Sequence, residues 1–240
     1  MKLDILAFGA HPDDVELGCG GTIAKEISLG KKIGIIDLTR GELGTRGSAE
    51  IRDIEASNAK DILGVQIREN LKLQDGFFKN DQESQIKVIE KIRKYKPEIV
   101  LCNAINDRHI DHPKGSQLVS NACFLSGLEK IKTFEGNESQ EKWRPKLVYH
   151  YIQWAHIEPD FVVDITNFID TKNKAVLAYS SQFFNDTKEN NLPKTPISSK
   201  NFLESITYRA KDLGRLVGTE YAEGFNVERL PVVDSIFNLK

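Results

Sequence analysis

The sequence predicts an α/β fold in which helices cover both faces of a mostly parallel sheet. Strand patterns and helix patterns alternate through residues 1–125, and such alternation is typical of parallel sheets. Histidine and aspartate residues directly follow two of the strands. Ligands of Rossmann-like sheets bind beyond the carboxyl ends of the strands. We therefore predict a Rossmann-like fold with its functional site at that edge.

The strands of this first half are short apolar runs, and helical spacing of apolar residues follows each of them. The predicted strands are residues 3–8, 32–38, 65–73 and 98–102. The predicted helices are residues 22–29, 48–63, 81–95 and a helix that starts at Pro113. Ser48 is a helix-capping residue type, and Gly30 and Gly64 stand where a left-handed residue would end a helix.

The second half, residues 126–240, is less regular. A polar connection covers residues 134–145. Strands are predicted at residues 146–153 and 161–164, and helices at residues 173–181 and 205–217. Residues 183–200 hold several asparagines and prolines, and this stretch is long enough to serve as a lid. A chain of 240 residues can bury one sizeable core, so we expect a single domain over residues 1–240.

Charge and apolar content exclude several classes of protein. The chain has 33 Lys and Arg against 35 Asp and Glu, a net charge of −2, which argues against a nucleic-acid binder. No apolar run approaches the ~18 residues that a membrane helix needs, and the first residues show no signal-peptide pattern. The 3 cysteines form no close-spaced pair, which fits a reducing compartment. We expect a cytoplasmic protein that binds neither nucleic acid nor a membrane.

The first candidate loop is His11-Pro12-Asp13-Asp14, directly after the first strand. His11 and Asp14 stand close enough on a tight loop to bind one metal ion while Asp13 points elsewhere. An imidazole and a carboxylate together suit zinc or another divalent first-row metal such as iron. The same residue types are also common in a solvated turn that caps a helix. This loop alone therefore does not decide between the two interpretations.

The second candidate loop is Asp107-Arg108-His109-Ile110-Asp111-His112-Pro113, after the fourth strand. His112 is the better third ligand because it adjoins Pro113 at a helix entrance, where the backbone is fixed. Two imidazoles and one carboxylate leave a coordination position open for water, whose pKa the metal lowers. Asp13, next to a ligand but not itself one, is then placed to accept the proton of that water as general base.

Other polar residues suit supporting roles in such a site. His109 could donate to the oxygen that becomes negative in a tetrahedral intermediate, and Asp111 could hold the His109 ring and favour imidazolium. Arg52 could bind a substrate hydroxyl, carbonyl or anionic group, and a surface ion pair with a nearby acid is the alternative. Asp75 is either a turn residue before Gly76 or an acceptor for a sugar hydroxyl.

Residues 10–16 and 108–112 together resemble the LmbE-like, or PIG-L, family of zinc-dependent de-N-acetylases. The resemblance implies one zinc ion per chain, with iron or another divalent metal as an alternative. It implies zinc ligands at His11, Asp14 and His112, Asp13 as base, His109 on the oxyanion side, Arg52 at the substrate and Asp75 at the sugar.

Further stretches resemble the branch of this family that acts in bacillithiol biosynthesis. They are residues 41–47, 159–164, 194–196 and 221–225. The branch implies hydrolysis of the acetamide of N-acetylglucosaminyl malate to acetate and glucosaminyl malate. The two malate carboxylates would require cations, for which Arg46, Arg108 and Arg40 are the loop candidates. Relatives often form trimers and hexamers, so the resemblance also implies a homo-oligomer.

Two other functions stay open at this point. The substrate could be another N-acetylglucosaminyl conjugate, such as a chitin disaccharide or a thiol conjugate. Alternatively, the chain could be a Rossmann-like module that binds a sugar or nucleotide without chemistry. The stretch Gly18-Cys19-Gly20-Gly21 disfavours this module, because it lacks the dinucleotide spacing and follows the acidic loop rather than the strand.

Overall fold

A computed structural model describes residues 1–184 and 193–238 of the chain. Its strands are β1 (Ile5–Gly9), β2 (Ile33–Thr39), β3 (Ile67–Leu73), β4 (Ile99–Cys102), β5 (Phe134–Glu135), β6 (Glu138–Ser139), β7 (Leu147–Tyr151), β8 (Phe161–Asp164) and β9 (Ala222–Val227). Its helices are α1 (Asp14–Ser28), α2 (Ala49–Leu63), α3 (Gln82–Tyr95), α4 (Asp111–Ser126), α5 (Ile169–Leu177) and α6 (Lys200–Val217). Strands β5 and β6 pair with each other, and the other strands of the described ranges form one sheet.

The order of strands in the sheet is β3-β2-β1-β4-β7-β9-β8. The first five strands run parallel, and β9 runs antiparallel to both of its neighbours. This arrangement confirms the predicted fold class. Strands β2 and β3 lie on one side of β1, whereas β4 lies on the other. The reversal leaves a crevice at the carboxyl ends of β1 and β4, where the two candidate loops begin.

Side-chain alternation along the strands produces an apolar core on each face of the sheet. Leu6 and Phe8 of β1 pack in a core with α3 and α4. Ile5 and Ala7 of the same strand pack in the opposite core with α1 and α5. In the described part of the chain, no helix combines the length and apolar character needed to cross a membrane.

Helix α1 begins at Asp14, well before the predicted start at residue 22. Its first turns contain several glycines, which have low helix propensity. Tertiary packing requires a glycine there, since a Cβ on Gly18 would lie 2.2 Å from the Tyr151 ring. Helix α4 likewise begins before its predicted start at Pro113. Both candidate loops are consequently shorter than expected. The last residues of each loop belong to the first turn of the helix that follows, and this helix positions them.

Strand β9 was not predicted, because its glutamate, glycine and asparagine have low strand propensity. The buried side chain of Glu223 is satisfied by tertiary partners. Its carboxylate accepts from the backbone N–H groups of Gly21 at 3.0 Å and Thr22 at 2.7 Å, and pairs with Lys172 at 2.5 Å. Those N–H groups are available because α1 has a break at Cys19. The β5–β6 ribbon was also missed and lies inside the predicted polar connection.

Candidate active site

A cavity of about 560 Å³ opens at the carboxyl ends of β1 and β4. Both candidate loops line it, together with Gly41, residues 43–45, residues 195–197 and part of α6. The predicted site residues in its lining are His11, Asp13, Asp14, Arg52, Asp75, Arg108, His109 and His112. Asp111 and Arg46 lie outside the lining. The fold thus brings most of the predicted site together from distant parts of the chain.

The side chains of His11, Asp14 and His112 converge. Asp14 lies between the two rings, with Oδ2 at 3.5 Å from Nδ1 of His11 and Oδ1 at 3.2 Å from Nε2 of His112. All three residues are buried, with exposed fractions of 8%, 1% and 7%. The two loops therefore meet at one carboxylate, as a shared metal site requires.

A further carboxylate orients each ring. In the neutral form of His112, Nδ1 donates to Oδ2 of Asp107 at 2.7 Å, which leaves Nε2 free beside Asp14. In the neutral form of His11, Nε2 donates to Oδ1 of Asp75 at 3.0 Å, which leaves Nδ1 beside Asp14. Such carboxylates fix the tautomer and the orientation of histidines that bind metals.

Asp14 is itself held in place by amide groups. Its Oδ2 accepts from the Asn103 side chain and from the His11 backbone N–H, both at 2.9 Å. Its Oδ1 accepts from the Gln153 side chain at 2.6 Å. Neither amide residue was predicted, although Asn103 directly follows β4 and Gln153 lies just beyond β7. A polar residue at the carboxyl end of a parallel strand was the signal available in the sequence.

The centre holds a surplus of buried negative charge, which suits a cation. Burial lowers the pKa of His11, but hydrogen bonds with Asp111, Asp14 and Asp75 outweigh burial and hold this pKa well above its usual value. Burial also opposes the charged form of His112, yet Asp14 and Asp107 raise its pKa to about 9. A divalent ion would replace protons held in this way. Two imidazoles and a carboxylate fit zinc or another first-row metal.

A second cluster adjoins this centre. Ligand atoms of His11, Asp75 and Asp111 lie within 4.8 Å of one another, as do those of His11, His109 and His112. Both of these acids accept backbone N–H groups, and Asp111 also binds the Lys114 ammonium at 2.7 Å. Because that ammonium would repel a dication, the group around Asp14 is the better metal site.

Asp13 has a strained backbone, with φ at 116° and ψ at −24°. Residues other than glycine adopt such angles mainly where function requires them. Its Oδ2 lies 3.5 Å from Nη1 of Arg52, which also donates to the carbonyl of Pro12 at 3.1 Å. Burial raises the pKa of Asp13 to about 7, against the attraction of Arg52, and a bound dication would lower it. A carboxylate placed beside the ligands suits a proton acceptor.

His109 lies against both neighbouring rings, with centroids 4.6 Å from His11 and 5.1 Å from His112. The expected bond between the Asp111 carboxylate and His109 is not formed. Because α4 begins at Asp111, this carboxylate turns to Lys114 and His11, and only the Asp111 backbone N–H donates to Nδ1 of His109, at 3.3 Å. Burial and the adjacent imidazoles lower the pKa of His109. These surroundings disfavour the predicted imidazolium, and a neutral ring that accepts this N–H at Nδ1 would carry its proton on Nε2.

Arg52 does not form the surface ion pair that was the alternative for it. The residue is buried, and its Nη2 donates to Oε1 of Gln182 at 2.5 Å. Gln182, which was not predicted, donates in turn to the backbone carbonyl of Arg46. The Nε of Arg52 is buried and has no hydrogen-bond partner among the residues that the structure describes. A buried donor without an acceptor is costly, so this guanidinium is not fully satisfied by the protein.

The three arginines expected near an anionic group lie in different places. Arg40 pairs with two acids of α2. Arg46 is buried, and its Nε donates to the carbonyl of Pro193 at 2.7 Å. Arg108 lines the cavity, and its guanidinium lies 4.6 Å from the centroid of the Trp154 ring. Of these three, Arg108 is the one placed to meet an anion in the cavity.

The predicted lid, residues 183–200, includes residues 185–192, which lie outside the described residues. On one side of this gap, Phe183 is buried. On the other side, Thr195, Pro196 and Ile197 line the cavity. The described part of the predicted lid thus forms part of the cavity wall.

Replacing Asp107 by asparagine is expected to weaken zinc binding by about 10- to 100-fold. The change removes the negative charge that holds the Nδ1 proton of His112, while the backbone N–H groups of Trp154 and Ala155 also bind this carboxylate, at 3.3 and 3.1 Å. Calorimetric titration of metal-free protein with zinc measures the effect. The exposed Asp61 provides the matched control, Asp61→Asn. An unchanged zinc Kd in Asp107→Asn would contradict the orienting role.

Known proteins resemble the chain in sequence and in structure. The model of the PIG-L family, described as GlcNAc-PI de-N-acetylase, matches residues 6–123. The crystal structure of the conserved protein TT1542 from Thermus thermophilus has a TM-score of 0.85 and 36% identity, and the match covers 98% of each chain.

Two relatives are deacetylases by description. The diacetylchitobiose deacetylase of Thermococcus kodakarensis is 28% identical over 230 residues, which cover 92% of this chain and 81% of the relative. The uncharacterized deacetylase YaiS of Escherichia coli is 34% identical over 145 residues, which cover 58% of this chain and 75% of the relative. The family match contains both loops that meet at Asp14. The chain therefore belongs to the PIG-L family of de-N-acetylases.

Proposed function

We propose that the chain is a zinc-dependent hydrolase that removes the N-acetyl group of an N-acetylglucosaminyl conjugate. The observation that carries this proposal is the convergence of His11, Asp14 and His112, with Asp13 beside them. Membership of a de-N-acetylase family supports the same reaction.

The zinc ligands in this proposal are Nδ1 of His11, a carboxylate oxygen of Asp14 and Nε2 of His112. The ion would supply Lewis acidity at the attacking water and at the acetamide carbonyl. Iron or another divalent first-row metal would suit the same donor atoms.

Asp13 takes a proton from water as the water oxygen attacks the acetamide carbon. Electrons of the carbonyl move onto its oxygen, and the Nε2–H of neutral His109 donates to the resulting oxyanion. The carbon–nitrogen bond then breaks, and the nitrogen takes the proton from Asp13. The products are acetic acid, which loses its proton to become acetate, and a free amine.

Arg52 and Asp75 are the proposed sugar contacts. Arg52 lines the cavity, where its guanidinium would donate to a substrate oxygen. Asp75 lines the cavity, and its oxygens already accept from His11 and from the Leu43 backbone. A carboxylate oxygen has a second lone pair, so Asp75 is able to orient His11 and still accept from a sugar hydroxyl.

N-acetylglucosaminyl malate, an intermediate of bacillithiol biosynthesis, is the first candidate substrate. The resemblance of residues 41–47 and 221–225 to that branch supports this choice, as does the position of Arg108 in the cavity lining. Diacetylchitobiose is the second candidate, because a relative described as its deacetylase matches 92% of this chain. A thiol conjugate of N-acetylglucosamine is the third.

A substrate panel tests the proposal. N-acetylglucosaminyl malate, diacetylchitobiose and methyl N-acetylglucosaminide are assayed for acetate and free amine with protein as isolated, stripped of metal, and reconstituted with zinc or iron(II). We expect equal amounts of both products, only in the presence of metal, and fastest from the malate glycoside. Faster release from diacetylchitobiose would assign the second candidate. Calorimetric binding of sugars without acetate release would indicate a module without chemistry.

The assembly and the cellular location also remain predictions. We propose a homo-oligomer of the trimeric or hexameric kind that the resemblance implies. Multi-angle light scattering of purified protein measures this assembly, and a monomer would contradict it. A cytoplasmic location is proposed from the sequence alone.

A further inference from the structure

Arg209 is a cavity residue to which the proposed reaction assigns no role. It lies on α6 and is half-buried. It lines the same cavity as Arg108 and Trp154. Because α6 belongs to the less regular half of the chain, no sequence motif indicated this residue.

The guanidinium of Arg209 has no hydrogen-bond acceptor among the described residues. Burial lowers its pKa, while Asp107 and Glu223 attract its charge through space. Both acids are engaged elsewhere, since Asp107 binds His112 and Glu223 binds Lys172. A partly buried guanidinium without an acceptor in the described part of the chain is costly unless a ligand oxygen reaches it.

Arg209 differs in this respect from the other arginines near the cavity. Arg52 and Arg46 donate to protein oxygens. Arg108 stacks on Trp154, and no described acid pairs with it. Two guanidinium groups of the cavity lining are therefore available to a ligand.

A pair of stacked aromatic rings joins the surroundings of Arg108 to α6, the helix that carries Arg209. Trp154, under Arg108, stacks on Phe202 of α6 with a centroid distance of 5.3 Å and an interplanar angle of 18°. Phe202 and Arg209 are two helical turns apart and share one face of α6. Arg108 and Arg209 both line the cavity, and this aromatic pair joins the loop of Arg108 to the helix of Arg209.

We propose that Arg209, together with Arg108, binds a carboxylate on the aglycone and makes the enzyme selective for anionic over neutral N-acetylglucosaminides. The inference rests on the proposed function and names the residue that selects the aglycone. A guanidinium offers two parallel N–H groups to a carboxylate, an arrangement that lysine does not reproduce.

Kinetics of Arg209→Gln and Arg209→Lys with two substrates test the inference. The substrates are N-acetylglucosaminyl malate and methyl N-acetylglucosaminide. We expect the ratio of their kcat/KM values to fall by about a hundredfold in Arg209→Gln, mainly through KM for the anionic glycoside. Arg209→Lys should fall between wild type and Arg209→Gln. The control is Arg215→Gln, an exposed arginine on the same helix that pairs with Asp212, and its ratio should equal that of wild type.

Equal losses of kcat/KM on both substrates would overturn the inference. Arg209 would then act through Asp107 and through His112, the proposed metal ligand that Asp107 binds. No change on either substrate would also overturn it while leaving the proposed function intact.

Calorimetric titration of metal-free wild type and Arg209→Gln with both glycosides needs no turnover. If wild type released no acetate from any glycoside, the proposed function would fail. Weaker binding of only the anionic glycoside to Arg209→Gln would still support the subsite, and equal binding would refute it.

Discussion

Replacing His11 by alanine is expected to abolish deacetylation and stoichiometric zinc binding together. His11 supplies one of the two rings beside Asp14, at 3.5 Å from its Oδ2. Without this ring, Asp14 and His112 alone cannot complete the donor set of a catalytic zinc site. Because the ion contributes several kcal/mol to the reaction, kcat/KM should fall by at least about a thousandfold. Mass spectrometry of bound zinc and an acetate assay on one sample measure both losses.

The matched control is His156→Ala. His156 is exposed and lies outside the cavity lining, so zinc content and rate should match those of wild type. A thermal melt of metal-free His11→Ala against metal-free wild type shows whether the variant folds. If folded His11→Ala kept one zinc per chain and normal turnover, the metal assignment would be wrong.

Replacing Asp13 by asparagine is expected to lower kcat by about 10²- to 10⁴-fold while the protein keeps its zinc. The amide has nearly the shape of the carboxylate and can retain the neighbourhood of Arg52, 3.5 Å away. It cannot take a proton from water at neutral pH, so the chemical step loses its base while substrate binding is retained. Steady-state kinetics and zinc content measured on one preparation separate this effect from metal loss.

Asp61→Asn is the control for a change of acid to amide at an exposed position. It should leave kcat and zinc content as in wild type. Loss of zinc from Asp13→Asn would place Asp13 among the ligands. An unchanged kcat would exclude Asp13 as the base.

Elements with a strong local signal were predicted well. Ser48 caps α2 through its bond from the Ile51 backbone, and Gly64 ends this helix in the left-handed region. Asp81 caps α3 in the same way through Ser84. These signals are reliable because a cap and a helix end depend on neighbours within one turn.

Elements that depend on distant partners were predicted poorly. The glycines at the start of α1 indicate a loop by propensity, but the Tyr151 ring leaves no room for a side chain at Gly18. In β9, the low strand propensity of Glu223 argues against a strand, and the sequence does not show that Lys172 will pair with this glutamate. The Asp111 carboxylate was expected to bind the His109 ring. Because α4 begins at Asp111, this carboxylate binds Lys114 instead.

The strand–helix alternation and the residue types that end β1 and β4 are readable from the sequence without a structure. Those features depend on local periodicity, and they were sufficient to predict a site of two imidazoles and a carboxylate. Which atoms meet at that site depends on how the elements pack. Asn103, Asp107 and Gln153 orient the predicted ligands, and Arg209 enters the cavity whereas Arg46 does not. The physical reason is that hydrogen-bond partners come from separate elements, whose distances depend on strand order and helix packing.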